Sequence, residues 1–286
     1  MAGFRLDSGF SRRAISGLAG AAALLVLAWN RPWHTGFAFV VLVVLLLALA
    51  EFYGLAVRLG FEPDKAVGLV LGGLLLWNAL HLWAEQAPLV SGAGTVLTLV
   101  YLAGSVLKGE AYLGFSRLAA TFLGLAYVVG LGGWIGRFVE RGNGNWIFQS
   151  EGHNDLPPLL LLTWVFDSAA MLSGCAWGRR KLSLASPNKS WEGVAGGFLA
   201  ILVLALVLPW MGLWEGLTCF ERVGAALVIA PAAILGDLVE SALKREAVVK
   251  DSATLAFLPG HGGFLDKVDA LLFTAPVLAL YLQWVR

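Results

Sequence analysis

Apolar residues fill this chain in long uninterrupted runs, and the polar positions gather in short breaks between them. A run of about 20 apolar residues crosses the hydrocarbon core of a bilayer as a helix, since each residue rises about 1.5 Å. Nine runs are candidates, near 14–29, 36–57, 66–84, 88–107, 113–136, 157–178, 194–215, 223–243 and 267–285. The seventh is apolar on every face from Val194 to Pro209, as a lipid-embedded helix requires. The pattern predicts an all-α, polytopic integral membrane protein with about nine transmembrane helices.

Composition agrees with this class. The 286 residues are 58% hydrophobic and only 14% charged, too apolar to cover a soluble domain. A net charge of +1 excludes a nucleic-acid-binding surface, which needs a large basic excess. Cys175 and Cys219 have no metal-ligand spacing and read as packing residues. The first apolar run is followed by many more, so it reads as a retained helix rather than a cleaved signal peptide. No internal repeat of the kind that builds inverted-repeat transporters is evident.

Charge sets the orientation. With nine spans and the N-terminus inside, fifteen of the twenty Lys and Arg residues fall on the inner side; only Arg31, Arg137, Arg141, Arg222 and Arg286 lie outside. The positive-inside rule selects this arrangement, with the C-terminus outside. The outer loop near 137–156 is polar, glycine-rich and holds interface aromatics, so it reads as a connector in which His153 and Asp155 form a solvated pair. The division is an N-terminal transmembrane bundle over 1–140 and a C-terminal catalytic region over 141–286, with cytoplasmic loops 179–193 and 244–266.

Charged groups within spans are expensive and mark function. Asp167 lies about ten residues into the sixth span, Asp237 and Glu240 lie near the inner end of the eighth, and Asp266 and Asp269 open the ninth. Glu51, near the inner end of the second, reads as a residue that snorkels to the interface. Asp237, Glu240, Ser241 and Lys244 fall at helical offsets of three, four and seven, on one helix face. If the two helix ends converge, three or four carboxylates share a small volume, where a divalent cation relieves their repulsion. Oxygen ligands suit magnesium better than zinc.

Two loops complete the inventory. Gly178-Arg-Arg-Lys-Leu-Ser-Leu-Ala-Ser-Pro-Asn-Lys-Ser-Trp-Glu-Gly193 places four cations, hydroxyls and backbone N–H groups before a helix, a combination suited to phosphate oxygens. The loop after Lys244 ends in Pro259-Gly-His-Gly-Gly263, which brings backbone and His261 close to a ligand. Basic juxtamembrane loops also serve only to set topology or touch anionic lipid. Here cations, carboxylates and glycines all arrive at one membrane face. A Walker-type phosphate loop is absent from the sequence.

Ser241-Ala-Leu-Lys-Arg-x4-Lys-Asp251, followed by Leu-Pro-Gly-His-Gly-Gly-x-Leu-Asp-x-x-Asp269, resembles the signature of the phosphatidate cytidylyltransferases. Asp167-Ser-x-Ala, Ser186-Pro-Asn-Lys-Ser-Trp-Glu-Gly193 and Gly236-Asp-Leu-Val-Glu-Ser241 resemble the family's upstream motifs. The resemblance spans roughly 160–270. It departs from the family in six residues at 252–257 where about four are usual, in Lys267 where arginine is usual, and in Met171 where tyrosine is usual.

The resemblance implies transfer of the cytidylyl group of CTP to phosphatidate, giving CDP-diacylglycerol and pyrophosphate, in a bacterial inner membrane with the site facing the cytoplasm. It implies catalytic roles for Asp237, Lys244, Lys250, Asp251, His261, Asp266 and Asp269, with Mg2+ on Asp237, Asp266 and Asp269 and room for a second, monovalent cation. Lys244, Arg245 and Lys250 would hold the pyrophosphate or the lipid phosphate, and Ser186, Asn188 and Lys189 the nucleotide. Ser241, Gly262 and Gly263 join the substrate-binding set, and Asp167 orients Lys189 or binds the second cation. The implied partners are CTP, phosphatidate or a related lipid phosphate, membrane lipids and a second copy in a homodimer. Two alternatives stay open: transfer to another lipid phosphate, and a catalytically silent homologue that binds lipid or nucleotide.

Overall fold

A computed structural model of the chain describes residues 26, 34–80, 96, 101, 111–138, 155–183, 186, 189–249 and 263–286. Seven helices carry most of them: α1 (His34–Arg58), α2 (Lys65–Ala79), α3 (Ala111–Gly124), α4 (Leu156–Trp177), α5 (Trp191–Val207), α6 (Cys219–Glu246) and α7 (Leu265–Val285). α3 continues through a π turn, Leu125–Gly130, and a 3-10 turn, Gly133–Phe138, and α5 through a 3-10 turn, Leu208–Met211. No strand occurs among the described residues. Among the described residues six stretches are long and apolar enough to cross a membrane, and α2, at 15 residues, is shorter. These seven stand where seven of the nine runs were read. Of the runs near 14–29 and 88–107, only residues 26, 96 and 101 are among the described residues.

Local chemistry fixes the helix starts. The Asp64 carboxylate accepts from Val67 N at 3.3 Å to open α2, and the Ser190 hydroxyl accepts from Gly193 N at 3.1 Å to open α5. Thr218 and Glu221 form a reciprocal capping box at the start of α6. Pro157 and Pro158 open α4, where a missing N–H costs nothing.

Small residues let the helices of the second half approach closely. α4 and α5 cross at Gly174 and Gly193, where a Cβ on Gly193 would stand 2.7 Å from the Ala170 carbonyl oxygen. α6 and α7 cross at Gly236, where a Cβ would stand 2.3 Å from the Asp269 carbonyl oxygen. Association through close backbone contact is expected in lipid, where the solvent offers no hydrophobic drive. One core of buried apolar side chains runs through both halves, from Leu45 and Leu49 on α1 to Leu272 and Leu278 on α7.

Polar contacts pin the two ends of the bundle. At one end the Tyr53 hydroxyl donates to the Thr121 carbonyl at 2.9 Å, and Asp64 N donates to the Thr121 hydroxyl at 2.8 Å, tying α1 and α2 to α3. At the other, Asp155 accepts two Arg286 N–H groups at 2.6 and 2.8 Å and the Trp214 indole N–H at 2.7 Å. Asp155 is buried, so the solvated loop pair expected from sequence is corrected: its carboxylate joins α4, the α5–α6 connection and the C-terminus. His153 lies outside the described residues. Cys175 and Cys219, expected in packing roles, are both exposed on the outside of the bundle.

Candidate active site

The carboxylates of α4, α6 and α7 meet within the bundle rather than at its rim. Asp167 lies ten residues before the end of α4 and Asp237 nine before the end of α6, roughly 14 Å along each axis. Gly236 brings the Asp269 backbone against α6 beside Asp237. α7 therefore begins about level with Glu240, and its first turn carries Asp266 into the bundle.

Two lysines serve this cluster. Lys244 bridges Glu240 one turn back on its own helix, at 2.6 Å, and Asp266 on α7, at 3.1 Å. Lys189 reaches Asp237 from the α4–α5 loop and forms an ion pair with it. That loop is a short hairpin. Leu182 N donates to Lys189 O at 2.9 Å, Trp191 N donates to Arg180 O at 3.0 Å, and Lys181 pairs with Ser190. Glu192 fastens its base by accepting the backbone N–H groups of Arg179 and Arg180 at 3.0 and 3.1 Å. Ser186 closes the tip through its carbonyl, which accepts from Lys189 N at 3.1 Å. Burial lowers the pKa of the Lys189 ammonium, while the Asp269, Asp167 and Glu240 charges oppose that shift.

Backbone groups position the start of α7. Gly263 N donates to Asp266 Oδ2 at 2.9 Å, and Ala270 N donates to Asp269 Oδ1 at 2.7 Å. Leu265 N donates to Glu51 Oε2 at 2.9 Å across 214 positions of sequence. Glu51 is fully buried, so the snorkelling expected from sequence is corrected: its carboxylate from α1 caps the helix that carries Asp266 and Asp269. Sequence spacing gave no sign of this pairing, and the only signal was a carboxylate within an apolar run.

Among the described residues, five carboxylates, Asp167, Asp237, Glu240, Asp266 and Asp269, face two ammonium groups, Lys189 and Lys244. Asp167 Oδ1 and Glu240 Oε1 are buried and have no hydrogen-bond partner among these residues. Oxygen donors in excess of cations, with buried lone pairs open, fit a hard divalent ion. As placed, no three acidic, His or Cys side chains among the described residues converge on one metal position.

A protein-family model described as the cytidylyltransferase family matches residues 11–285. The chain belongs to the cytidylyltransferase family. Phosphatidate cytidylyltransferase of Synechocystis is 30% identical over 290 residues, covering 93% of this chain and 92% of that protein. The Pseudomonas aeruginosa enzyme of the same name is 36% identical, covering 84% of this chain and 94% of that protein. The Haemophilus influenzae enzyme is 41% identical over 133 residues, 44% of this chain and 45% of that protein.

In this cytidylyltransferase-family chain the structure brings together Asp167, Lys189, Asp237, Lys244, Asp266 and Asp269 from the residues singled out in the sequence, with Ser186 and Gly263 one hydrogen bond away. Ser241 is half-buried on α6, and Arg245 is exposed near the end of that helix. Asn188, Lys250, Asp251, His261 and Gly262, with the two-residue extension at 252–257, lie outside the described residues. Met171 is 61% exposed on the outer surface of α4, so the tyrosine it replaces would not have faced this cluster. Lys267 lies over the Phe264 ring, 5.2 Å from its centroid.

Proposed function

We propose that this chain transfers the cytidylyl group of CTP to the phosphate of phosphatidate, giving CDP-diacylglycerol and pyrophosphate. The observation that carries this reading is the meeting of Asp237, Asp266 and Asp269 with Lys189 and Lys244, all at signature positions of the family, inside an apolar bundle. A phosphatidate oxygen attacks the α-phosphorus of CTP, the new P–O bond forms, and the bond to the bridging β-phosphate oxygen breaks to release pyrophosphate. A phosphate monoester has its second pKa near 6, so the attacking oxygen is already anionic at neutral pH and needs no strong base.

Charge control is then the main task. Lys189 and Lys244 neutralise phosphate oxygens, Lys189 on the nucleotide side with Ser186 and Asn188, and Lys244 with Arg245 and Lys250 on the pyrophosphate or lipid phosphate. Asp237, Asp266 and Asp269 would hold Mg2+, with Asp167 at a second, monovalent cation. When bound, the divalent ion supplies charge stabilisation at the transferring phosphoryl group. Lys189 and Lys244, held on Asp237 and Asp266, would be the residues that turn to phosphate oxygens.

The proposed topology has nine spans with the N-terminus inside, which sets the inner ends of α4 and α6 toward the cytoplasm, where CTP is found. A bacterial inner membrane fits this arrangement. The test is formation of CDP-diacylglycerol by the detergent-purified protein from CTP, phosphatidate and Mg2+. Product that depends on all three and is lost in Asp266→Asn supports the reading. A folded protein that makes no product with phosphatidate or with other lipid phosphates overturns it.

A further inference from the structure

Beyond the signature residues and Glu51, a second polar group from the N-terminal half packs near the same cluster. Tyr127 sits in the π turn Leu125–Gly130, which widens the helix by one residue per turn and re-aims the side chains it carries. Its ring lies between Phe52 of α1, at 5.6 Å between centroids, and Phe273 of α7, at 6.3 Å. Phe273 follows Asp269 by one helical turn, so the Tyr127 ring packs one turn of α7 from the acidic cluster. The carboxylates that act on it electrostatically are Asp269 and Glu240. The hydroxyl is buried and has no hydrogen-bond partner among the described residues.

A buried hydroxyl in an apolar bundle is normally satisfied, and an open one beside ligand-binding carboxylates marks a place for a ligand atom. The two sides of the cluster differ. Lys189 enters from the α4–α5 loop, which the reading above gives to the nucleotide, whereas Tyr127 enters from the side of α1 and α3. The neighbouring face of the same turn, Leu125, Ala126, Val129 and Gly130, lines with Leu75 and Ala79 of α2 an apolar groove of about 570 Å³, with room for hydrocarbon. We infer that the Tyr127 hydroxyl is a specificity-determining contact for the lipid acceptor, donating a hydrogen bond to its phosphate beside Asp269. The inference rests on the transfer reaction proposed above.

The test is Tyr127→Phe, which keeps the ring between Phe52 and Phe273 and removes only the oxygen. With short-chain phosphatidate in detergent micelles and CTP varied separately, the expected result is a rise of about tenfold in KM for phosphatidate, the loss of one neutral-donor hydrogen bond to a charged group. KM for CTP and the thermal midpoint without substrate stay unchanged. Short-chain phosphatidate should also raise the thermal midpoint of the wild type more than that of the variant. An unchanged KM for phosphatidate, or an equal rise in both KM values, overturns the inference while leaving the reaction intact. A wild type without transferase activity overturns the reaction instead, and the thermal-shift comparison still reports whether Tyr127 contacts the lipid phosphate.

Discussion

Gly236 is a point where the structure tolerates little change, and Gly236→Ala tests whether the α6–α7 crossing builds the site. A Cβ at this position would lie 2.3 Å from Asp269 O, 2.9 Å from Asp269 C and 3.0 Å from Ala270 Cα, all backbone atoms. Ordinary van der Waals contact begins near 3.4 Å, so α7 must move by about 1 Å at Asp269. Overpacking of this kind costs about 1–3 kcal/mol. A catalytic group displaced by ~1 Å loses on the order of 100-fold in rate. The assay is CDP-diacylglycerol formation beside thermal unfolding in detergent, with Gly73→Ala as control because nothing lies nearer than 4.0 Å to its added Cβ. The expected outcome is a rate loss near 100-fold in Gly236→Ala that exceeds what its lowered thermal midpoint explains, and a wild-type rate in Gly73→Ala. Wild-type activity and stability in Gly236→Ala would refute the claim that this crossing positions Asp269.

Three further outcomes follow from the contacts. Burial lowers the Lys189 pKa below the ordinary lysine value of 10.5, so its charge is lost at a lower pH than that of a free lysine; kcat/KM should fall as pH rises through that loss, and Lys189→Arg should move the fall to higher pH. Glu51→Ala should lower stability by about 1–3 kcal/mol by leaving Leu265 N–H without an acceptor, whereas Glu51→Gln, which keeps a carbonyl oxygen, should lose far less; urea or thermal unfolding distinguishes them. Asp155→Ala should cost about 3 kcal/mol in the same assay, because the half-buried Arg286 guanidinium and Trp214 N–H lose their shared acceptor, while activity per folded molecule is retained.

The helices were legible because lipid imposes one simple rule: backbone groups must be satisfied within the segment, so each span is an unbroken apolar run. α4, α6 and α7 fall within a few residues of the runs read near 157–178, 223–243 and 267–285. Charged residues inside runs marked Asp167, Asp237, Asp266 and Asp269 for the same reason. Pairings were less legible. The spacing of Asp237, Glu240 and Lys244 suggested one helix face, yet Lys244 takes Glu240 and Asp266 while Asp237 goes to Lys189, 48 positions away. The span pattern carries no information on which helices touch, so Glu51 beneath Leu265 and Asp155 beneath Arg286 stayed hidden. Tyr127 stayed hidden too, since a tyrosine in an apolar run reads as core, and only the π turn and its open hydroxyl distinguish it.

The central claim is that the nucleotide's α-phosphoryl group, with its cytidine, moves to the lipid. CTP labelled separately at the α- and γ-phosphorus, incubated with purified protein, Mg2+ and phosphatidate, tests it most directly. The account predicts that α-label enters the lipid fraction as CDP-diacylglycerol, γ-label leaves as pyrophosphate in equal amount, and both are abolished in Asp266→Asn. γ-Label in the lipid, or pyrophosphate release that is indifferent to phosphatidate, would contradict it.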